Sequence, residues 1–226
     1  KVRQTLAHNR ATAGHPWDEF VWVDNGSTAG VRAVVSSYKP DISVLHSTNL
    51  GVSKGYNRAK LLSTGDWLVI TGNDCLLPDN WMKTWVDYIQ ALPNTGCVSL
   101  YQSPLNKCPE RVRGEERQCA AGNYTPAMPF GRRMIRRDLL TKAGYLREDF
   151  GLYGLEDVEW GNRAERVCDE NGWLYYTTPH QSIHLPDGPL ETEYRVFKQG
   201  EADDQAKHKL LSECARLRWP YYNPYR

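Results

Sequence analysis

Residues 67–75 read Trp67-Leu68-Val69-Ile70-Thr71-Gly72-Asn73-Asp74-Cys75. Four apolar residues in a row, ended by Thr, Gly, Asn and Asp, describe a buried strand that stops on a polar turn. The same unit recurs on either side. Upstream, Phe20-Val21-Trp22-Val23 runs into Asp24-Asn25-Gly26-Ser27, and Ile42-Ser43-Val44-Leu45 is a second run. Downstream, Cys97-Val98-Ser99-Leu100-Tyr101 is another. Between these runs the spacing turns helical, from Ser53 to Leu62 and again at Trp81, Met82, Trp85, Val86, Ile89 and Leu92. Alternating strands and helices predict an α/β domain, a mostly parallel sheet flanked by helices. Ligands of such sheets sit at the carboxyl ends of the strands, so the polar residues just after each strand are the first candidates for chemistry.

The second half is less periodic. Residues 102–128 are rich in Pro, Gly, Arg and Glu and are expected to form a long loop. Helical spacing returns from Arg137 to Gly144 and from Asp157 to Cys168, followed by a strand at Leu174-Tyr175-Tyr176-Thr177. Leu190 to Trp219 is charged and mostly helical, and an aromatic tail follows it. A net charge of +1 gives no global reason to bind nucleic acid or an anionic membrane. No apolar run is long enough to span a bilayer, and no basic-then-apolar leader opens the chain, so a cytoplasmic protein is expected. The six cysteines form no CxxC pair, which argues against a thiolate zinc site; reduced thiols used as small apolar residues are expected.

Three strand ends carry candidate residues. Val23-Asp24-Asn25-Gly26-Ser27-Thr28 sets an acid and small polar groups where a nucleoside could bind, although a tight Asx turn uses the same residues. Asn49-Leu50-Gly51-Val52-Ser53-Lys54-Gly55-Tyr56-Asn57-Arg58 offers two glycines for close backbone approach and two cations for phosphate. The alternative there is a plain loop and helix start capped by Ser53. Neither a Walker loop nor a GxGxxG turn is present. In the third, the Asp74 carboxylate at the end of a buried strand suits Mg²⁺ or Mn²⁺ held against a diphosphate.

Taken in order, these stretches resemble the nucleotide-sugar half of family 2 glycosyltransferases with the GT-A fold, a Rossmann-like nucleotide-diphospho-sugar transferase architecture. The resemblance continues through Pro129-Phe130-Gly131-Arg132-Arg133-Met134-Ile135-Arg136-Arg137 and Ala143-Gly144-Tyr145-Leu146-Arg147-Glu148-Asp149-Phe150. It then reaches Gly154-Leu155-Glu156-Asp157-Val158-Glu159-Trp160-Gly161-Asn162-Arg163, which is similar to the family's acidic box. In all it covers about Phe20 to Pro186.

The resemblance implies a role for each matched position. Asp24, Asn25, Asn49, Gly51, Lys54, Asn57, Asn73 and Asp74 would line the nucleotide-sugar pocket. Asp74, with His184 from the segment after the last strand, would hold a divalent cation, Mn²⁺ or Mg²⁺; His180 competes with His184 for that place. Asp157 would be the general base, its charge favoured by a helix start, with Glu156 beside it. Arg132 and Trp160 would lie on the acceptor side. Glu159 and Arg163 read as an ordinary i,i+4 pair.

The expected reaction is hexosyl transfer from a UDP-, GDP- or dTDP-sugar, inverting, with a retaining outcome as the close variant. The acceptor could be a glycan, a lipid-linked sugar, a protein or a modified nucleic-acid base. Residues 1–188 would form the transferase domain and 189–226 a helical extension with an aromatic tail. Two departures stand out: the family's DxD is thinned to Gly72-Asn73-Asp74, and its opening strand, roughly 5–6 residues, would lie upstream of Lys1. Both motivate an alternative, a sugar-nucleotide or glycan-binding module that kept the fold without turnover.

Overall fold

The computed structural model describes residues 1–101, 132–185, 196–197, 200–201, 204–218 and 221–225. The long loop expected at 102–128 lies outside the described residues, as do Cys108 and Cys119. Helix α1 (Val2–Ala11) precedes a β–α–β unit of β1 (Val21–Asn25), α2 (Ala29–Ser37) and β2 (Ile42–His46). The two strands are parallel, with Val21 opposite Ile42 and Asn25 opposite His46. After α3 (Val52–Leu62), β3 (Trp67–Ile70) leads to the short β4 (Cys75–Leu76), then α4 (Trp81–Ala91) and β5 (Thr95–Tyr101). Next come β6 (Arg133–Arg136), α5 (Arg137–Ala143), a 3-10 turn at Glu148–Phe150, α6 (Glu156–Asn171), β7 (Leu174–Gln181), β8 (Ile183–His184) and α7 (Gln205–Leu217).

Strands β3, β6, β5 and β7 lie side by side in that order. β5 and β7 are parallel, whereas β6 runs antiparallel to both β3 and β5. The α/β class read from the sequence therefore holds, with an antiparallel strand that the alternation did not predict. Among the described residues β1 bonds only β2 and β3 bonds only β6, so each leaves one edge open.

The period-two alternation of the strands sorts the core into two layers. Leu68, Cys97 and Ile135 face α5 and α6, where they pack with Leu139, Leu140, Ala143, Trp160, Ala164 and Val167. Their neighbours Val98 and Met134 face the other way and pack with Trp81, Met82 and Trp85 of α4. Trp81 and Trp85 meet edge-on at 5.3 Å, one helical turn apart. Cys75, Cys97, Cys168 and Cys214 are buried thiols, as expected. No described helix is long and apolar enough to cross a membrane.

Two side-chain amides tie loops to this frame by imitating a strand. Asn9 of α1 donates to the Cys75 carbonyl and accepts from the Leu77 amide, both at 2.9 Å, which fixes the chain on either side of β4. Asn57 of α3 does the same to Leu146, at 2.8 and 2.9 Å, and also donates to Glu148 Oε1.

Candidate active site

At the end of β1, Asp24 is 1% exposed. Its Oδ1 accepts from the Ser27 amide at 2.6 Å, closing the turn, and its Oδ2 lies 3.6 Å from Arg32 Nε. Asn25 next to it donates to Asn49 Oδ1 and to the Gly51 carbonyl and accepts from the Leu50 amide. Asn25, Asn49 and Gly51 are therefore brought together. Gly51 (φ 95°) is required by close approach: a Cβ there would come within 2.8 Å of the Gly151 carbonyl and 3.0 Å of Leu152 Cα. The start of α3 is thus packed onto the loop that leads to the acidic box. Lys54 is exposed.

At the end of β3, Asn73 is exposed and Asp74 partly so. The antiparallel pairing of β4 with β8 sets Cys75 opposite His184. His184 Nε2 lies 3.2 Å from Asp74 Oδ2, and the Cys75 thiol donates to Asp74 Oδ1 at 3.2 Å. One ligand atom from each of the three falls within 4.8 Å of the others. His180 ends on an exposed part of β7, outside this group. Carboxylate, imidazole and thiol together form a donor set that fits a divalent cation, with more nitrogen and sulfur character than an all-oxygen Mg²⁺ site. Burial pushes the Cys75 thiol up to about 11, against the pull of the Arg132 guanidinium, so without a cation it stays protonated.

The acidic pair opens α6. Glu156 is 5% exposed, and its Oε2 has no hydrogen-bond partner among the described residues. Burial, and then the Asp157 carboxylate, raise Glu156 to about 7, against its own and the Gly154 amide and Lys207. Asp157 is also raised above the usual carboxylate range by burial, with the Arg133 guanidinium and the Val158 amide opposing. Its Oδ1 accepts from that amide at 2.9 Å.

The Glu156 shift predicts a pH dependence of stability. Between 4.5 and about 7 the folded chain keeps a proton that the unfolded chain has released. Stability should therefore fall as pH rises through this window, by about 3 kcal/mol in full. Glu156→Gln keeps the shape without the charge. Melting curves of the variant should match the parent near pH 4.5 and lie above it beyond pH 7; parallel curves would mean that Glu156 ionises as an ordinary carboxylate.

Tyr56 links the two groups. Burial raises its phenol first, and Cys75, Asp74, Glu156 and Asp157 all add to the shift, so both ends of the site act on one side chain. The sequence reading passed over Tyr56, although it stands in the quoted 49–58 stretch one helical turn after Ser53. It also gave Arg133 no role beside Asp157; the clue was a cation inside an apolar strand. Arg132 lies at the other end, its Nε donating to Cys75 Sγ at 3.1 Å.

Two expected site residues are turned elsewhere. Trp160, placed on the acceptor side, is fully buried, and its Nε1 donates to the Gly144 carbonyl at 3.1 Å. The apolar stripe of α6 draws it inward against α5. Asn57, placed in the nucleotide pocket, is 1% exposed with its amide committed to Leu146 and Glu148.

Residues 1–145 match the profile of glycosyl transferase family 2. No curated protein sequence matches the chain. Among solved structures, the mannosyltransferase PcManGT from Pyrobaculum calidifontis, in complex with GDP-Man and Mn²⁺, superposes with a TM-score of 0.62 at 22% identity, over 85% of this chain and 55% of that one. TarS from S. aureus gives 0.62 at 17%, over 92% and 39%. GalNAc-T7 with UDP, GalNAc and Mn²⁺ gives 0.56 at 14%, over 76% and 38%. The chain spans about half or less of the length of these proteins, and at such identities the likeness is one of fold.

Proposed function

This chain belongs to glycosyl transferase family 2, and from that premise we propose that it moves a hexose from a nucleotide-sugar donor to an acceptor hydroxyl with inversion. The observation that carries the reading is the Asp74–Cys75–His184 donor group at the end of β3, with Asp74, Cys75, Glu156 and Asp157 all raising the Tyr56 phenol after burial does. In this reading the first group takes the leaving diphosphate and the acidic pair removes the proton. A bound divalent cation, Mn²⁺ in this proposal, supplies positive charge against the departing nucleoside diphosphate. Asp74 and His184 would hold it, and Cys75 stands within reach as a third donor.

Asp157 accepts the proton of the attacking hydroxyl. Burial makes it a stronger base than an exposed aspartate, and the Arg133 guanidinium opposes that shift. Glu156 positions the acceptor hydroxyl next to it. Asn25, Asn49 and Gly51 shape the nucleoside side of the cleft, with Asp24 closing the turn beneath them. The transferase unit would comprise residues 1–188 and work in the cytoplasm, with 189–226 as its extension.

Calorimetric titration with UDP-, GDP- and dTDP-hexoses, with and without Mn²⁺, tests the donor site. One nucleotide should bind in a Mn²⁺-dependent manner, and Asp74→Asn should remove that dependence. Binding without turnover across a broad acceptor screen would mark a sugar-nucleotide-binding module. Absence of binding to all three would leave the fold standing and sink the reaction.

A further inference from the structure

Arg132 carries a charge that meets no carboxylate at ion-pair distance among the described residues. It is 5% exposed, directly ahead of β6, and its carbonyl accepts from the Leu100 amide at 3.2 Å. Its φ of 150° is a backbone conformation that residues with a Cβ rarely adopt, so the chain tolerates strain to keep it in place. Two other arginines buried to this degree are ion-paired, Arg163 with Glu159 and Arg147 with Asp149. Among the described residues, the guanidinium of Arg132 makes one hydrogen bond, from Nε to Cys75 Sγ. Its buried Nη1 has no partner there, and no carboxylate lies within ion-pair distance. A buried cation without a counter-charge is costly unless a ligand supplies one. The contact with Cys75 puts the guanidinium at the border of the Asp74–Cys75–His184 group.

We propose that Arg132 is an oxyanion-binding residue, whose guanidinium takes a phosphoryl or carboxylate oxygen of the substrate seated beside Asp74 and His184. The inference rests on the site of the proposed reaction, but it requires neither a nucleoside nor turnover. A planar guanidinium with parallel N–H groups suits either anion. The oxyanion has two sources, the diphosphate of the donor or an acid group on the transferred sugar or the acceptor.

The test uses the full chain in metal-free buffer, so that any binding comes from the protein's own cations. Inorganic pyrophosphate and glucuronate are titrated against the parent, Arg132→Gln and Arg132→Lys. The parent should bind at least one of them and melt at a higher temperature with it. Arg132→Gln should weaken that binding by roughly 10- to 100-fold, the loss of a charge-assisted hydrogen bond, and Arg132→Lys, which keeps charge without the fork, should fall between.

Loss of pyrophosphate binding identifies the donor diphosphate; loss of glucuronate binding alone identifies an acid group on the sugar or acceptor. Without ligand, Arg132→Gln should melt no lower than the parent, because the variant removes an uncompensated buried charge. The proposal is overturned if the parent binds neither anion, or if Arg132→Gln binds both as the parent does. A lower melting temperature with unchanged anion affinity would make Arg132 structural and overturn it equally. Failure of every nucleotide sugar to bind would remove the proposed reaction while leaving this result readable.

Discussion

Asp157→Asn is expected to turn over roughly 10²- to 10⁴-fold more slowly than the parent, the range for loss of a positioned general base, with donor affinity unchanged. Asparagine keeps the size of the side chain and can still accept from the Val158 amide through its carbonyl oxygen. It cannot take a proton at neutral pH. The neighbouring Glu156 makes this a real choice between two carboxylates, because Glu156 is raised to about 7 and Asp157 is raised by burial as well. What separates them is the counter-charge: Arg133 opposes the shift of Asp157, whereas the first causes acting on Glu156 both favour its neutral form. The carboxylate whose charge a guanidinium supports is the one assigned to accept the proton; the other orients the hydroxyl. Single-turnover rates of Asp157→Asn and Glu156→Gln, measured across pH, decide it. If Glu156→Gln loses the larger factor, and the acid limb near pH 7 vanishes with it, the base is Glu156.

The strands were legible where one short apolar run met a turn. Trp67–Ile70 was read to the residue, and β1, β2 and α4 to within two residues at each end. β6 was not, because its apolar content is only Met134 and Ile135 between arginines, and the pairing that buries Arg133 against β3 and β5 is invisible in a local window. The candidate site divides in the same way. Strand-end residues such as Asp74, Asn25 and Asn49 could be found, since the carboxyl edge of a sheet is where chains turn. Helix residues could not be aimed: Tyr56 and Asn57 are adjacent, yet only Tyr56 senses the acidic groups, while Asn57 is committed to Leu146. Which side of α3 meets the loop at 146–152 depends on contacts far away in sequence.

The Glu159–Arg163 pair shows how far burial changes the value of a pattern. At i,i+4 on an exposed helix such a pair contributes about 0.3–0.5 kcal/mol. Here Glu159 is 2% and Arg163 1% exposed, and the contact is two-pronged, Nε to Oε1 at 2.7 Å and Nη2 to Oε2 at 2.6 Å. Arg163 also donates to the carbonyls of Ala143 and Tyr145, between which Trp160 takes that of Gly144. α6 thus holds three successive carbonyls of the chain leaving α5, on the way to the loop that delivers Asp157. Arg163→Met should therefore lower the unfolding free energy by about 3–5 kcal/mol, because it leaves the Glu159 charge buried and alone. Against a total stability of roughly 5–15 kcal/mol, that loss alone would bring the domain near unfolding at ambient temperature. Glu159→Leu should cost a similar amount by stranding the guanidinium. The double variant should be less destabilised than the sum of the two, because the charges leave together, but not neutral, since the Ala143 and Tyr145 carbonyls still lose their donor. Urea unfolding of the four proteins gives the coupling, expected toward the top of the roughly 0.5–3 kcal/mol range for contacting residues. Additive single effects below about 1 kcal/mol would mean that water reaches the pair, and that the segment from Ala143 to Tyr145 is held by the packing of Trp160 instead.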